Sequence, residues 1–369
     1  MTVEDMHVAE LAAGTEKPSA RSARGSPAEE LWTAVDRLID RGPRLSDLVF
    51  HRLEYLAARR WRAQGRSVPR ELLEAETYAA VVTMMTPVLL ERVRAACDGP
   101  LILMKGYEVA ARYPDAMLRP YKDIDLLVPD SERTHNALLA AGFVATGMPE
   151  LYVDIHHLRP LYAPGVPLVV EIHSSPKWPQ GIAVPTVEEL LGDRVPAAVG
   201  VDGISALPPA QHAVVLAAHA WAHAPLGQLG RLVDIAAVSH GVDRVDLERV
   251  AERWGLSRVW RTTAAATDDL LFGGRRTLAE RTWARNLVAV RERSVVEKHL
   301  EYAFAPLWSL PFPEALKMVA AAIGRLLRPK PGEGWRVKLS RTARALRTPF
   351  ARLSEHHQAL DAKDRDRRE

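Results

Sequence analysis

Leu101-Ile102-Leu103-Met104-Lys105-Gly106 and Asp123-Ile124-Asp125-Leu126-Leu127-Val128 are the two stretches whose reading decides the fold. Each is a short run of branched apolar residues, the length of a strand buried in a sheet, with charge at one end only. The first runs straight into the turn Lys105-Gly106 and a helical stretch, Tyr107 to Tyr113, that Pro114-Asp115 breaks. A polar loop, Arg119-Pro120-Tyr121-Lys122, then leads into the second strand.

Downstream, Pro129-Asp130-Ser131 caps a helix to Ala141, which Gly142 ends. Strand patterns follow at Phe143-Val144, at Leu158 to Tyr162 and at Leu168 to Ile172, the last two a hairpin about Gly165. Upstream the chain is helical. Ser26-Pro27-Ala28-Glu29 is a capping-box pattern, and Leu31, Trp32, Val35 and Leu38 recur at helical spacing. A second stripe runs through Leu48, Leu53 and Leu56, and a long helix spans Arg70 to Cys97. From Pro208 helical stripes return through Val214, Leu216, Leu232, Ile235, Leu270 and Leu271. The expected fold class is therefore α+β: a small mixed-sheet core over 99–180 between helical regions at 26–98 and 181–310. Residues 1–25 read as a disordered tail, and 311–369 as a basic helical segment ending in a charged tail.

Alternate positions of a strand share a face, which places the Asp123 and Asp125 carboxylates side by side, about 7 Å apart at the backbone. Two like charges so close repel, and a divalent cation relieves them; Mg²⁺ (or Mn²⁺) prefers carboxylate oxygens and leaves positions open for phosphate. Glu171, flanked by apolar residues in Val169-Val170-Glu171-Ile172-His173, is a costly acid for a core strand unless paired or metal-bound. If its strand lies beside that of Asp123, the three acids form one cluster suited to two-metal chemistry. Lys105 and Gly106 stand where backbone and charge meet phosphate, and Arg119 and Lys122 are placed to neutralise it. His173 shares the Glu171 face and contacts either substrate or the protein itself; His156 and His157 read as structural.

These residues resemble a family. Leu103 through Gly106, Tyr113-Pro114, Arg119, the Asp123–Val128 strand, Gly142-Phe143, His156-His157 and Glu171-Ile172-His173 look like the uncharacterised bacterial nucleotidyltransferases of the polymerase-beta-like superfamily. The likeness extends more weakly to His219, His223, Arg231-Leu232-Val233-Asp234 and Leu271-Phe272-Gly273, covering about residues 75–275. It implies that Asp123, Asp125 and Glu171 bind catalytic Mg²⁺. It also implies transfer of a nucleoside monophosphate from NTP, with ATP the expected donor, to a hydroxyl or similar acceptor on a small molecule, peptide or protein. Lys105-Gly106 stands where the superfamily carries Gly-Ser.

Other readings are weaker. A haloacid-dehalogenase-type phosphatase carries its aspartates after an apolar strand, whereas here the apolar residues follow them. A sugar-nucleotide glycosyltransferase fails the same test. An inactive binding module, acting as antitoxin, nucleotide sensor or scaffold, gains no support where all three acids are present. His212, His219 and His223 share a helical face, but Ala220 stands where a zincin needs glutamate, so packing is preferred, with His219 suited to Asp234. Arg231 reads as a surface ion pair in preference to a phosphate contact.

Composition sets the outer limits. The chain has 369 residues, is 47% hydrophobic, and has a formal net charge of +3, so bulk charge does not favour nucleic acid as a partner. The Lys- and Arg-rich stretch 317–352 keeps RNA or an acidic membrane surface open, though solvated helix faces are preferred. The single cysteine, Cys97, excludes an internal disulfide and reads as a core residue. Met1 to His7 carries Glu4 and Asp5 and no apolar segment, and no apolar run is long enough to span a bilayer, so a cytoplasmic location is expected.

Overall fold

The structure, a computed structural model, describes residues 27–41, 44–147, 152, 156–283, 294–329 and 332–348. The expected tail at 1–25, the Ser26 cap and the end of the charged tail lie outside them.

Seven strands form one mixed sheet: β1 (Leu101–Leu103), β2 (Asp123–Leu127), β3 (Val144–Ala145), β4 (Leu161–Tyr162), β5 (Val169–His173), β6 (Val195–Pro196) and β7 (Ile204–Ala206). Their order across the sheet is β3-β4-β5-β2-β1-β7-β6. At its centre β2 runs antiparallel to β1 and parallel to β5, in a register that sets Asp125 opposite Glu171 and Leu127 opposite His173. The β4–β5 hairpin forms as its pattern requires, though β4 is shorter than Leu158–Tyr162. Beyond residue 180, where the sequence reading placed only helices, β6 and β7 complete the other edge, and β7 pairs parallel with β1. Those strands are two and three residues long, too short for a period-2 pattern to register.

Strand alternation divides the core in two. Leu103, Ile124, Leu126, Val128, Val170 and Ile172 face one side, where they pack with Val82, Leu89, Leu90 and Val93 of the helix Arg70–Ala96 and with Leu138 of the helix Ser131–Ala140. Cys97 is buried there as expected. Ile102, Met104 and Leu127 face the other side, against the helix Pro209–His223, whose buried residues include Val214, Val215 and Leu216. The same cluster takes in Leu31, Val35 and Leu38 of the helix Pro27–Asp40, and Val233 and Ile235 of the helix Leu229–Ser239. The two helical flanks, distant in sequence, thus share one core on the second face. Asp123, Asp125, Glu171 and His173 lie at strand positions that open towards this helical side.

Candidate active site

Between the sheet and the helices Pro209–His223 and Leu229–Ser239 lies a cavity of about 300 Å³. Its sheet wall carries Asp123, Asp125, Glu171 and His173, and its helical wall carries Leu216, His219, Ala220 and His223, spaced to face one side of a helix. Asp125 is buried, Asp123 and Glu171 half-buried. Single ligand atoms of Asp125, Glu171 and His173 all lie within 4.8 Å of one another, and Asp123 lines the same cavity.

The electrostatics of this group are strained. Burial, and then the neighbouring charges of Asp125 and Glu171, push the Asp123 carboxyl up to about 6. Burial acts on Asp125 in the same direction, but Lys105 and His173 outweigh it and hold that carboxyl well below the usual range. Lys105 Nζ donates to Asp125 Oδ1 at 3.1 Å. His173 Nε2 is 2.9 Å from Asp125 Oδ1 and 3.6 Å from Glu171 Oε2, yet neither buried ring nitrogen makes a well-directed hydrogen bond. An imidazole lodged between two carboxylates with no satisfied bond of its own fits a metal-ligand set.

Beyond this group the expected residues part company. Arg119 lines the cavity, but its guanidinium is taken by Asp234, with Nε donating to Oδ1 at 2.7 Å and Nη2 to Oδ2 at 2.9 Å. Lys122 is exposed and does not line the cavity, because it precedes Asp123 by one residue and points the other way. Gly106 lines the cavity in a left-handed conformation, φ 65°, where a Cβ would stand 3.1 Å from the Asp123 backbone oxygen. The glycine is required first by the sheet's own backbone. The helix after it spans only Tyr107–Ala110, shorter than expected.

His156 and His157 come beside His173 through a short backbone bridge, with ring centroids 5.3 Å and 5.1 Å from it. Burial, followed by His173 and His157, lowers His156 to about 3. His212 is fully buried and its Nε2 donates to the Met104 carbonyl at 2.7 Å, while the His219 and His223 rings lie tilted to each other with centroids 4.5 Å apart. Asp234 bonds Arg119 and Tyr113, so the expected role as partner of His219 passes to those residues.

Two basic cavity residues, Lys177 and Arg52, escaped the sequence reading, and a third, Arg231, was assigned there to a surface ion pair. Lys177 follows β5 in a loop with no periodicity to place it. Arg231 lines the cavity and has no ion pair among the described residues, against the surface pair expected of it. Arg52 enters from the N-terminal helices, a flank far from the motif. The signals available in the sequence were His219 and His223 on one helical face, where packing was preferred, and Arg231, where a surface ion pair was preferred.

Residues 32–271 match the model of a family described as uncharacterised nucleotidyltransferases. The chain belongs to that family. The match spans parts of both helical flanks as well as the sheet, and in this nucleotidyltransferase Arg52, Lys177 and Arg231 fall inside it together with Asp123, Asp125 and Glu171. Neither a curated protein nor a solved structure matches the chain. No helix among the described residues is long and apolar enough to cross a membrane.

Proposed function

We propose that this nucleotidyltransferase moves a nucleoside monophosphate from NTP, with ATP the expected donor, to a hydroxyl or similar nucleophile on a small molecule, peptide or protein. The observation that carries this reading is the convergence of Asp125, Glu171 and His173 in one cavity beside Asp123, set by the register of β2 and β5. Asp123, Asp125 and Glu171 would hold Mg²⁺ or Mn²⁺, with His173 as a nitrogen ligand that suits Mn²⁺ at least as well. A bound divalent ion supplies Lewis acidity and charge neutralisation at phosphate oxygens.

The chain's own residues do the rest. Glu171 accepts the proton of the acceptor oxygen as that oxygen forms a bond to the α-phosphorus. The bond from the α-phosphorus to the bridging oxygen breaks, and pyrophosphate leaves with the electron pair. Lys105 stands by Asp125 to balance charge on the leaving group. The walls of the cavity restrict water, which favours transfer over hydrolysis.

The test incubates purified protein with each α-labelled NTP and Mg²⁺ or Mn²⁺, with cell-extract fractions as the acceptor source, and follows label transfer and pyrophosphate. Metal-dependent transfer by the wild type, lost in Asp125→Asn and in Glu171→Gln, is the expected result. Transfer at wild-type rate in either variant would sink the assignment.

A further inference from the structure

Three cations of the cavity, Arg52, Lys177 and Arg231, form no direct ion pair among the described residues, although Asp123, Glu171 and Asp234 act on them at longer range. Lys177 Nζ lies against the His223 imidazole, 3.1 Å from Nδ1 and 3.3 Å from Nε2. Arg231 and Arg52 have no ion pair among the described residues, and all three line the cavity. The charges act on one another: burial, and then Arg231, lower Lys177 to about 8, while burial, and then Arg52, lower Arg231 to about 10. Burial, followed by Lys105, His223, Arg231 and Lys177 for His219 and by Arg231, Lys177 and Lys105 for His223, holds both imidazoles far below their ordinary value, so they are neutral donors and acceptors.

Such an arrangement destabilises the empty fold and is therefore informative. The backbone goes out of its way to make it. Arg52 has φ 57°, a left-handed conformation rare for a residue with a Cβ. It is held there by close docking on the helix Leu229–Ser239, where Gly230 N donates to the His51 carbonyl at 2.9 Å and a side chain on Gly230 would collide with that oxygen. One strained residue and one obligatory glycine thus bring the N-terminal helices to the cavity and set Arg52 beside Arg231.

We propose that Arg52, Lys177 and Arg231 form a polyphosphate subsite that grips the triphosphate end of the nucleotide independently of the metal. The inference rests on the proposed nucleotidyl transfer and assigns the donor's charged end to the helical wall. A single carboxylate cannot meet three cations contributed by three separate elements, whereas a triphosphate carries several charges along an extended chain. The two guanidinium groups offer planar forks that match phosphate oxygens. Arg119, expected from the sequence to meet phosphate, is occupied by Asp234, and the wall supplies the charge in its place.

The test is calorimetric titration of the full chain with inorganic tripolyphosphate in EDTA, for wild type, Arg231→Gln, Lys177→Gln and Arg52→Asn, the last chosen because asparagine tolerates the left-handed conformation. The wild type should bind without divalent metal, more weakly as salt rises, and NTP should displace the tripolyphosphate. Each variant should bind at least about tenfold more weakly, and Arg231→Gln should melt no lower than wild type, since it removes a repelling charge. A structural role would lower its melting temperature instead. Absence of metal-free binding, wild-type affinity in Arg231→Gln and Lys177→Gln alike, or failure of NTP to displace tripolyphosphate would overturn the proposal; the last would give the anion site to the acceptor. Should Arg231→Gln fold poorly, Lys177→Gln decides. The two readings fail separately. Tripolyphosphate binding without any transfer counts against the enzymatic reading alone, and transfer with unaltered binding in the variants counts against the subsite alone.

Discussion

Arg119 and Asp234 meet in a two-pronged ion pair that ties the loop before β2 to the helix Leu229–Ser239, with Tyr113 Oη donating a further bond to Asp234 Oδ1 at 2.7 Å. Arg119 Nη1 also donates to the Gly106 carbonyl at 3.2 Å, so one guanidinium joins the glycine turn, the sheet and the helical wall. Both partners are largely withdrawn from water, at 9% and 13% exposure of their side chains. Breaking such a pair leaves a stranded charge. Arg119→Met should lower stability by about 3–5 kcal/mol in urea unfolding. The double variant Arg119→Met with Asp234→Leu should recover much of that, because no charge is left unpaired. A single-variant loss no larger than that of a surface pair would show that the pair does not join the two walls.

Gly106 is the second joint. Its φ of 65° with ψ −123° is open to glycine and strained for other residues, and a Cβ would press on the Asp123 carbonyl and the Ile124 side chain. Gly106→Ala should cost on the order of 2 kcal/mol in stability and displace the strand that carries both aspartates. Nucleotide turnover should fall with it even at temperatures where the variant is folded. Wild-type unfolding would mean that the turn relaxes freely and that the glycine's role lies with phosphate alone.

The central strands were legible because each buried both faces or alternated charge with apolar residues. Asp123 and Asp125 announce themselves by standing at the open end of an otherwise apolar run, and Glu171 by interrupting one. The parallel pairing that sets Asp125 against Glu171 was conditional in the sequence, since adjacency of strands is decided by long-range packing that no local pattern encodes. The helical wall was harder. Arg52, Lys177 and Arg231 lie on three elements that have no mutual periodicity, and a basic residue on an amphipathic helix reads as solvated unless its neighbours across the fold are known. Arg119 shows the converse: its place before the aspartates pointed to phosphate, and only the tertiary partner Asp234 reveals that it is engaged elsewhere.

His173 gives a direct test of the metal set. As a buried imidazole with unsatisfied nitrogens between Asp125 and Glu171, it should contribute to ion affinity more than to the fold. His173→Asn should weaken Mn²⁺ binding by on the order of 10–100-fold, read by calorimetry in the absence of nucleotide, while its unfolding midpoint changes little. Equal Mn²⁺ affinity in the variant would remove His173 from the ligand set and leave the ion to the carboxylates.

The last prediction concerns acid. His212 sits at the base of the helical wall, fully buried, and donates from Nε2 to the Met104 carbonyl at the end of β1. Burial is the main influence on it; the bond to Met104 opposes that, Arg112 and Arg119 reinforce it, and the ring is lowered to about 4. In the unfolded chain the same ring titrates near 6.5. Its folded value is therefore the lower one, and the folded state resists taking up the proton. The stability it protects is fully present above pH 6.5 and is lost as pH falls towards and through 4, by on the order of 3 kcal/mol for this residue. His219 and His223, also lowered by burial and by the neighbouring cations, act with the same sign, so unfolding free energy should fall steeply across that window. His212→Gln keeps an amide donor for Met104 and removes the titration. Urea unfolding at intervals between pH 4 and pH 7 should show a shallower slope for the variant than for wild type, with the curves drawing together at the acid end. Parallel curves across the whole range would mean that His212 enters and leaves its buried site without regard to charge, and the acid sensitivity would then belong to the cavity histidines alone.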